Sequence, residues 1–348
     1  MKKGLEIADL LQKVSEMESK KKDFTVKTSK MKLTPESKLN IDDKMEIGVT
    51  NFAHSQIASR LKIPKVYYDR MLLEQPELLA DNVNVWLSSQ DDRRLIRTID
   101  NNARAFLSDR YRILDNGAAV KTLLTSLSSM KIPVNFASSE VLDDRMYIKA
   151  TFPSLRTEIK RSALVGDILE AGLVLSNSEV GAGSLLVSPF THRLWCANGA
   201  YSNSLVKKYH VGSSTGGFDD VQHLLNDDTK QQNDAAFWGS VGDIIKNTAS
   251  IDILQGIADT YGDATERKIT QDNFKVVEQV AKAYNFSELE SRSILENLLK
   301  NNDLSQFGLG NAVTQCGNTC DDYSQSDNFQ RVGGKILELD ASQWQKIA

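Results

Sequence analysis

The spacing of apolar residues changes period twice along this chain, and that change limits the fold more than any single residue does. Up to about Ser89 apolar side chains recur at helical intervals; from Arg94 to Ala197 they alternate, and from Val221 onward the helical interval returns. Helices, then a block of consecutive strands, then helices again is not the alternating pattern of a parallel α/β fold. The order predicts an α+β chain: an antiparallel sheet with packed helices, followed by a mainly helical C-terminal part.

Leu5, Ile7, Leu10, Leu11, Val14 and Met17 sit at helical spacing, and Phe24, Val26 and Thr28 alternate behind Lys20-Lys21-Lys22. A helix and a strand are therefore predicted in an N-terminal segment, 1–50. The stretch NFAHSQIASRLKIPKVYYDRML carries two short helical patterns broken at Ile63-Pro64. Pro64 suits a first helical turn, where its missing N–H has no partner to lose. A further helix follows Pro76 as far as Leu87. RLIRTID and ARAFLSD then alternate on either side of Asn101-Asn102, a hairpin signal because Asn tolerates positive φ. A helix over 116–130, capped by Asp115 or Asn116, precedes strand-like runs at 134–138, 145–152, 168–176, 184–190 and 193–197.

VGSSTGGFDD (211–220) reads as a Gly/Ser loop between an α+β core, 51–215, and a C-terminal domain, 216–348. Helical patterns there cover 221–225, 235–261, 271–284 and 287–300, the last opened by the capping-box pattern Ser287-Glu288-Leu289-Glu290, and GLGNAVTQC begins another. The same loop divides the charge. The whole chain carries a net charge of −4, but residues 1–218 hold 31 basic and 25 acidic side chains, and residues 219–348 hold 11 and 21. A basic part joined to an acidic part points to a nucleic-acid partner for the first.

Basic residues between 93 and 161 are the strongest functional signal. Arg93, Arg94, Arg97, Arg104, Arg110, Arg112, Lys149, Arg156, Lys160 and Arg161 fall on or beside the predicted hairpin and strands, with Tyr111 and Tyr147 interleaved. A guanidinium fork grips phosphate oxygens at two points and stacks on bases. Side chains two apart on a strand share a face, so several of these cations can line one groove, or else pair with Asp91, Asp92, Asp100, Asp109 and Asp115. A second patch, from Val180 to Phe218, has no acidic residue and contains Arg193, Lys207, Lys208, His192 and His210 with Phe190, Trp195, Tyr201 and Tyr209. Cations mixed with aromatics suit single-stranded nucleic acid. The alternation of Leu194 and Cys196 against Arg193 and Trp195 assigns Trp195 to the core instead.

QIASRLKIPKVYYDRML also has the outline of a helix-turn-helix, with Ala58 at a small-residue position and Lys62 where a turn glycine often stands; two plain packed helices explain it equally. Enzyme signals are poor. VGAGS matches no phosphate-binding loop, the four histidines are scattered, and Cys196, Cys316 and Cys320 form no metal-ligand spacing, so no cofactor is expected. Acidic pairs such as Asp227-Asp228 and Asp321-Asp322 read as helix caps. No apolar run is long enough to cross a membrane, the N-terminus lacks a signal-peptide core, and three cysteines make no disulfide framework, so a cytoplasmic chain with reduced thiols is expected.

The segments RAFLSDRYRILDN (104–116), GLVLSNSEVGAGSLLVSPFTHRLWCANG (172–199), FGLGNAV (307–313) and NVNVWL (82–87) resemble the phage/plasmid-like family defined by domain of unknown function 932, over roughly residues 50–335. The resemblance implies a mobile-element protein and supplies no catalytic residue. Read physically, SDRYR presents two arginines from a rigid turn, Gly181 and Gly183 let backbone approach closely, and Asn198-Gly199 marks a bend. These readings converge on a non-catalytic DNA-binding protein, acting on single strands in recombination or replication. It would work as a homo-oligomer, with a host or phage protein as a further partner. A duplex-binding regulator using the 54–73 helix pair, or a protein-interaction factor such as a host-defence inhibitor, are the rival expectations. Any nucleic-acid surface should lie within 90–210, with the acidic part facing away.

Overall fold

The computed structural model describes residues 2–160, 166–195, 198–202, 207–209 and 227–348. The chain is α+β, with antiparallel pairing predominant and a helical C-terminal part. Helix α1 (Ile7–Lys20) leads into β1 (Lys21–Lys27), and β2 (Met31–Leu33), β3 (Leu39–Ile41) and β4 (Met45–Val49) follow. Helices α2 (Asn51–Arg60), α3 (Lys65–Glu74) and α4 (Pro76–Ser89) precede the hairpin β5 (Arg93–Ile99) and β6 (Asn102–Ser108). These strands form one six-stranded sheet in the order β1-β5-β6-β4-β3-β2, in which β4 and β6 alone run parallel. The 1–50 segment is thus woven into this sheet. Its strands β2 to β4 were not foreseen, because each is five residues or fewer and too short to display a period.

After α5 (Asn116–Met130) come β7 (Asn135–Val141), β8 (Met146–Glu158), β9 (Ile168–Asn177), β10 (Leu185–Arg193), β11 (Asn198–Tyr201) and β12 (Lys207–Tyr209). They form an antiparallel sheet in the order β11-β10-β9-β8-β7, with β12 also pairing along β10. Asn198-Gly199 is not a bend but the start of β11. A Cβ on Gly199 would lie 2.0 Å from Phe190 Cζ, so glycine is required there by close packing rather than by a turn.

Among the described residues the C-terminal part is completed by α6 (Asp227–Thr248), α7 (Ile251–Glu266), α8 (Asn273–Tyr284), α9 (Glu288–Asn301), α10 (Gln306–Thr319) and α11 (Tyr323–Leu337), followed by the short α12 (Ala341–Trp344). The single helix expected over 235–261 is two, because Ser250 breaks the run and caps α7 by accepting from the Asp252 N–H. The capping box at Ser287 and Glu290 is present. Of the sequence expectations, the helix at 221–225 and the whole 211–220 loop fall outside the described residues.

The larger sheet is the middle of three layers. Ile148, Ala150, Phe152, Leu173, Leu175 and Val187 face a core shared with α1, α5, α6 and α7. On the opposite face Tyr147, Lys149 and Tyr201 meet α11, and the Phe190 ring packs edge-on against Tyr201. The acidic C-terminal part therefore covers the sheet instead of facing away from it. The smaller sheet buries Ile96 and Phe106 under α2, α3 and α4, and turns Leu95, Ala105 and Leu107 toward Val180. Among the described residues no helix is long and apolar enough to cross a membrane.

Candidate nucleic-acid interface

The hairpin turns at Asp100-Asn101, one residue earlier than expected, and both residues are left-handed, φ 48° and 62°. That is the two-residue turn whose twist matches the strands it joins. A register shift after Arg97 makes Arg104 an extra residue in β6. Arg94 and Arg97 point to opposite faces, and Arg110 and Arg112 lie in a loop beyond the end of β6. A single strand face lined by these arginines does not form.

Arg97 is inside the protein, 2% exposed. Its guanidinium donates to Asp23 at 3.1 Å, to Asp115 at 2.6 Å and to the Glu179 carbonyl at 2.9 Å. Burial alone would lower its pKa, but the hydrogen bonds and charges of Asp23 and Asp115 outweigh that cost and raise it. Arg104 reaches the Glu179 carboxylate at 3.1 Å, and Lys21 reaches it at 3.2 Å. The Asn116 N–H, the first of α5, donates to the same carboxylate at 2.8 Å, placing a negative charge at a helix N-terminus. The Asp115 carboxyl is held below its ordinary range: desolvation opposes its charge, and Arg97 and Lys21 overcome it. Tyr111 donates to the Ser178 carbonyl at 3.2 Å, and Gln56 bridges the Val180 carbonyl and the Phe106 N–H. The segments SDRYRILDN and SNSEVG thus converge on a polar junction that rivets the two sheets together.

Lys149 is a second internal cation, 1% exposed. Its ammonium lies 2.7 Å from Asp327 and donates to Gln330 at 2.7 Å. Asp327 also accepts from Arg331 at 3.0 Å and from the Tyr201 hydroxyl. Desolvation resists its charge, yet Lys149 and Arg331 keep its carboxyl below the ordinary range. Elsewhere Arg94 pairs with Asp92 at 2.8 Å, and Arg112 pairs with Asp234 at 2.8 Å and lies over the Phe237 ring. Arg193 grips the fully buried Asp167 with two bonds of 2.7 Å. Arg97 and Lys149 are therefore structural, because a buried cation already bonded to carboxylates has no surface to offer a phosphate.

Arg93 and Arg110 are exposed, while Arg156 and Lys160 lie at the open end of the larger sheet. Arg156 bonds Glu170 at 2.6 Å, and Lys160 is 3.8 Å from Asp259 with its side chain 73% exposed. Lys207 and Lys208 are placed only as residues of β12, and Arg161, Cys196 and His210 lie outside the described residues. Trp195 corrects the expectation made for it. It sits in the turn after β10 and is 67% exposed. The alternation that assigned it to the core ends at Arg193, where the strand stops.

The helix pair α2–α3 forms as anticipated, and Lys62 takes the left-handed conformation, φ 57°, at the position of the missing glycine. On α3, however, Lys65 bonds Asp69 and Arg70 bonds Glu74, so its exposed face carries no net charge to attract a duplex. His54 in α2 is buried, its ring nitrogen 2.8 Å from the Tyr68 hydroxyl, and burial lowers its pKa to about 4. Cys316 is buried as well, its thiol pushed up to about 12. Among the described residues no group of three or more His, Cys, Asp or Glu is placed to hold a metal ion.

Sequence reasoning missed Glu179, Asp23 and Asp327. Glu179 was visible only as the last acid before a basic stretch, and Asp23 is separated by 74 residues from the arginine it holds. No family model, curated protein or solved structure matches this chain.

Proposed function

We propose that this chain is a non-catalytic nucleic-acid-binding protein that takes single-stranded DNA at the end of the larger sheet where Trp195 projects. The observation that carries this reading is the open indole, 67% exposed beside β8 and β9. The Leu194 N–H donates to the Ile168 carbonyl, so the turn holding Trp195 is tied to the start of β9, and Glu158 lies opposite Ile168 on β8. β8 thus runs two strand spacings, about 10 Å, from β10, with Arg156 near its end and Lys160 just beyond it. A solvent-facing indole stacks on an unpaired base for about 1–3 kcal/mol, and neighbouring cations meet the backbone on either side. A duplex hides its base faces, which favours single strands.

Among the described residues, Lys149, Tyr201 and Cys316 are enclosed and engaged by neighbours, which supports the non-catalytic part. A mobile-element setting, in recombination or replication, rests on the phage/plasmid-like resemblance of the motifs at the sheet junction. Anisotropy of a labelled oligothymidylate tests the proposal. Binding at about 50 mM salt should weaken roughly twentyfold by 200 mM, as expected if about three phosphates are contacted. Trp195→Ala should weaken it at least about fivefold, the low end of one lost stack. Protein that shifts neither single-stranded nor duplex oligonucleotide at the lower salt overturns the reading.

A further inference from the structure

The face of α3 turned to solvent has a composition that a surface helix does not need. Val66 is 85% exposed and Leu73 is 83% exposed, the two highest values among the large apolar side chains of the described residues. Residues 66, 69, 70 and 73 share one side of a helix, so Val66 and Leu73 form a short apolar seam with Asp69 and Arg70 beside it. Lys65 and Glu74 lie at its margins.

We propose that this face is the contact of a symmetric homodimer, its occupant the α3 of a second copy running antiparallel. The argument is charge complementarity. A two-fold axis passing between Asp69 and Arg70 sets Val66 against Leu73 of the second copy, Asp69 against Arg70, and Lys65 against Glu74. All three pairs are complementary, and each occurs twice, as a closed two-fold contact demands. Moving the axis by half a residue onto Arg70 would oppose Arg70 to itself and Val66 to Glu74, so the pattern selects one register. Among the described residues nothing covers the seam, and the helix is already neutral through its Lys65–Asp69 and Arg70–Glu74 pairs, so two copies approach without net repulsion. This contact is independent of the nucleic-acid reading, which rests on the opposite part of the sequence.

Sedimentation of the full chain over about 1–100 μM decides the matter, a span that covers micromolar dissociation constants. The wild-type chain should sediment as a dimer, and Val66→Glu should weaken association at least tenfold. Asp69→Arg alone should do the same by opposing two arginines. The double exchange Asp69→Arg with Arg70→Asp should restore dimerisation, although it disrupts both ion pairs within the helix, so recovery can come only from the contact between copies. A Val66→Cys, Leu73→Cys double variant should cross-link beyond the wild-type background while either single variant does not, because two copies of residue 66 stand about 10 Å apart along the helix axes. Melting curves establish that the variants are folded, and if Val66→Glu is not, the charge exchange and the cross-link decide. A wild-type chain that stays monomeric overturns the proposal. So does a dimer indifferent to Val66→Glu, or a double exchange as weak as the single.

Discussion

The two ionic clusters at the faces of the larger sheet differ in their access to water. At the junction of the sheets, Lys21, Arg97 and Arg104 share Asp23, Asp115 and Glu179, and the Asp115 side chain remains 35% exposed. Under α11, Lys149 and Asp327 have side chains 1% and 4% exposed, with Arg331, Gln330 and Tyr201 as their neighbours. The first cluster has spare partners and some solvent to absorb a loss. The second has two cations, Lys149 and Arg331, on one carboxylate, and Gln330 Nε2 lacks a hydrogen-bond partner, so one of its polar groups is already unsatisfied. A buried charge that loses its partner keeps the desolvation cost and forfeits the attraction.

Asp327→Leu should separate the two clusters most strongly. It should destabilise by about 3–5 kcal/mol, lowering Tm by on the order of 5–10 °C, and adding Lys149→Met should recover most of the loss. A double variant no better than the single would mean that α11 docks by something other than charge.

Acid titration comes next in size. His54 has a folded pKa of about 4 against 6.5 for a free imidazole. The unfolded chain therefore binds the proton first, so its contribution is complete above pH 6.5 and is lost as pH falls toward 4. The loss should reach about 2–3 kcal/mol. Burial lowers His192 in the same direction. Asp115 and Asp327 are held below the ordinary carboxylate range, so what they contribute is present above that range and disappears only at lower pH. Urea unfolding at pH 7 and 4.5 should show the histidine loss alone, reduced in His54→Gln; a loss of equal size in that variant would assign it to the clusters.

Glu179→Gln should cost about 2 kcal/mol, less than Asp327→Leu, because Arg97 and Lys21 retain Asp115. Equal costs would erase the distinction between the clusters. The smallest effect belongs to the exposed end: Trp195→Ala should change stability by no more than about 0.5 kcal/mol while weakening oligonucleotide binding.

Much of the secondary structure was legible because its signals are local. The 93–108 hairpin, the break at Pro64 and the Ser287 capping box each depend on residues within a few positions of one another. Helix α11 was missed for a tertiary reason. Its apolar stripe is short, Phe329, Val332 and Ile336, and Ser326, Asp327, Gln330, Gly333 and Gly334 are buried beside it, so much of the face that packs inward is polar or glycine and its burial shows only in the fold. A Cβ on Gly334 would lie 2.0 Å from the Tyr201 carbonyl oxygen, which shows how closely that face approaches the sheet. The candidate site was legible only as a composition, arginine with aromatics, and composition does not tell a surface from an interior.

By itself, then, the sequence determined the order of elements and the α+β class, since apolar period, caps and turn residues act over one or two turns of chain. Which cations face water was decided by the tertiary structure. Arg97 meets Asp23 across 74 residues and Lys149 meets Gln330 across 181. Pairing over such separations follows from how the sheets and helices stack, and a charge count along the chain carries no trace of it.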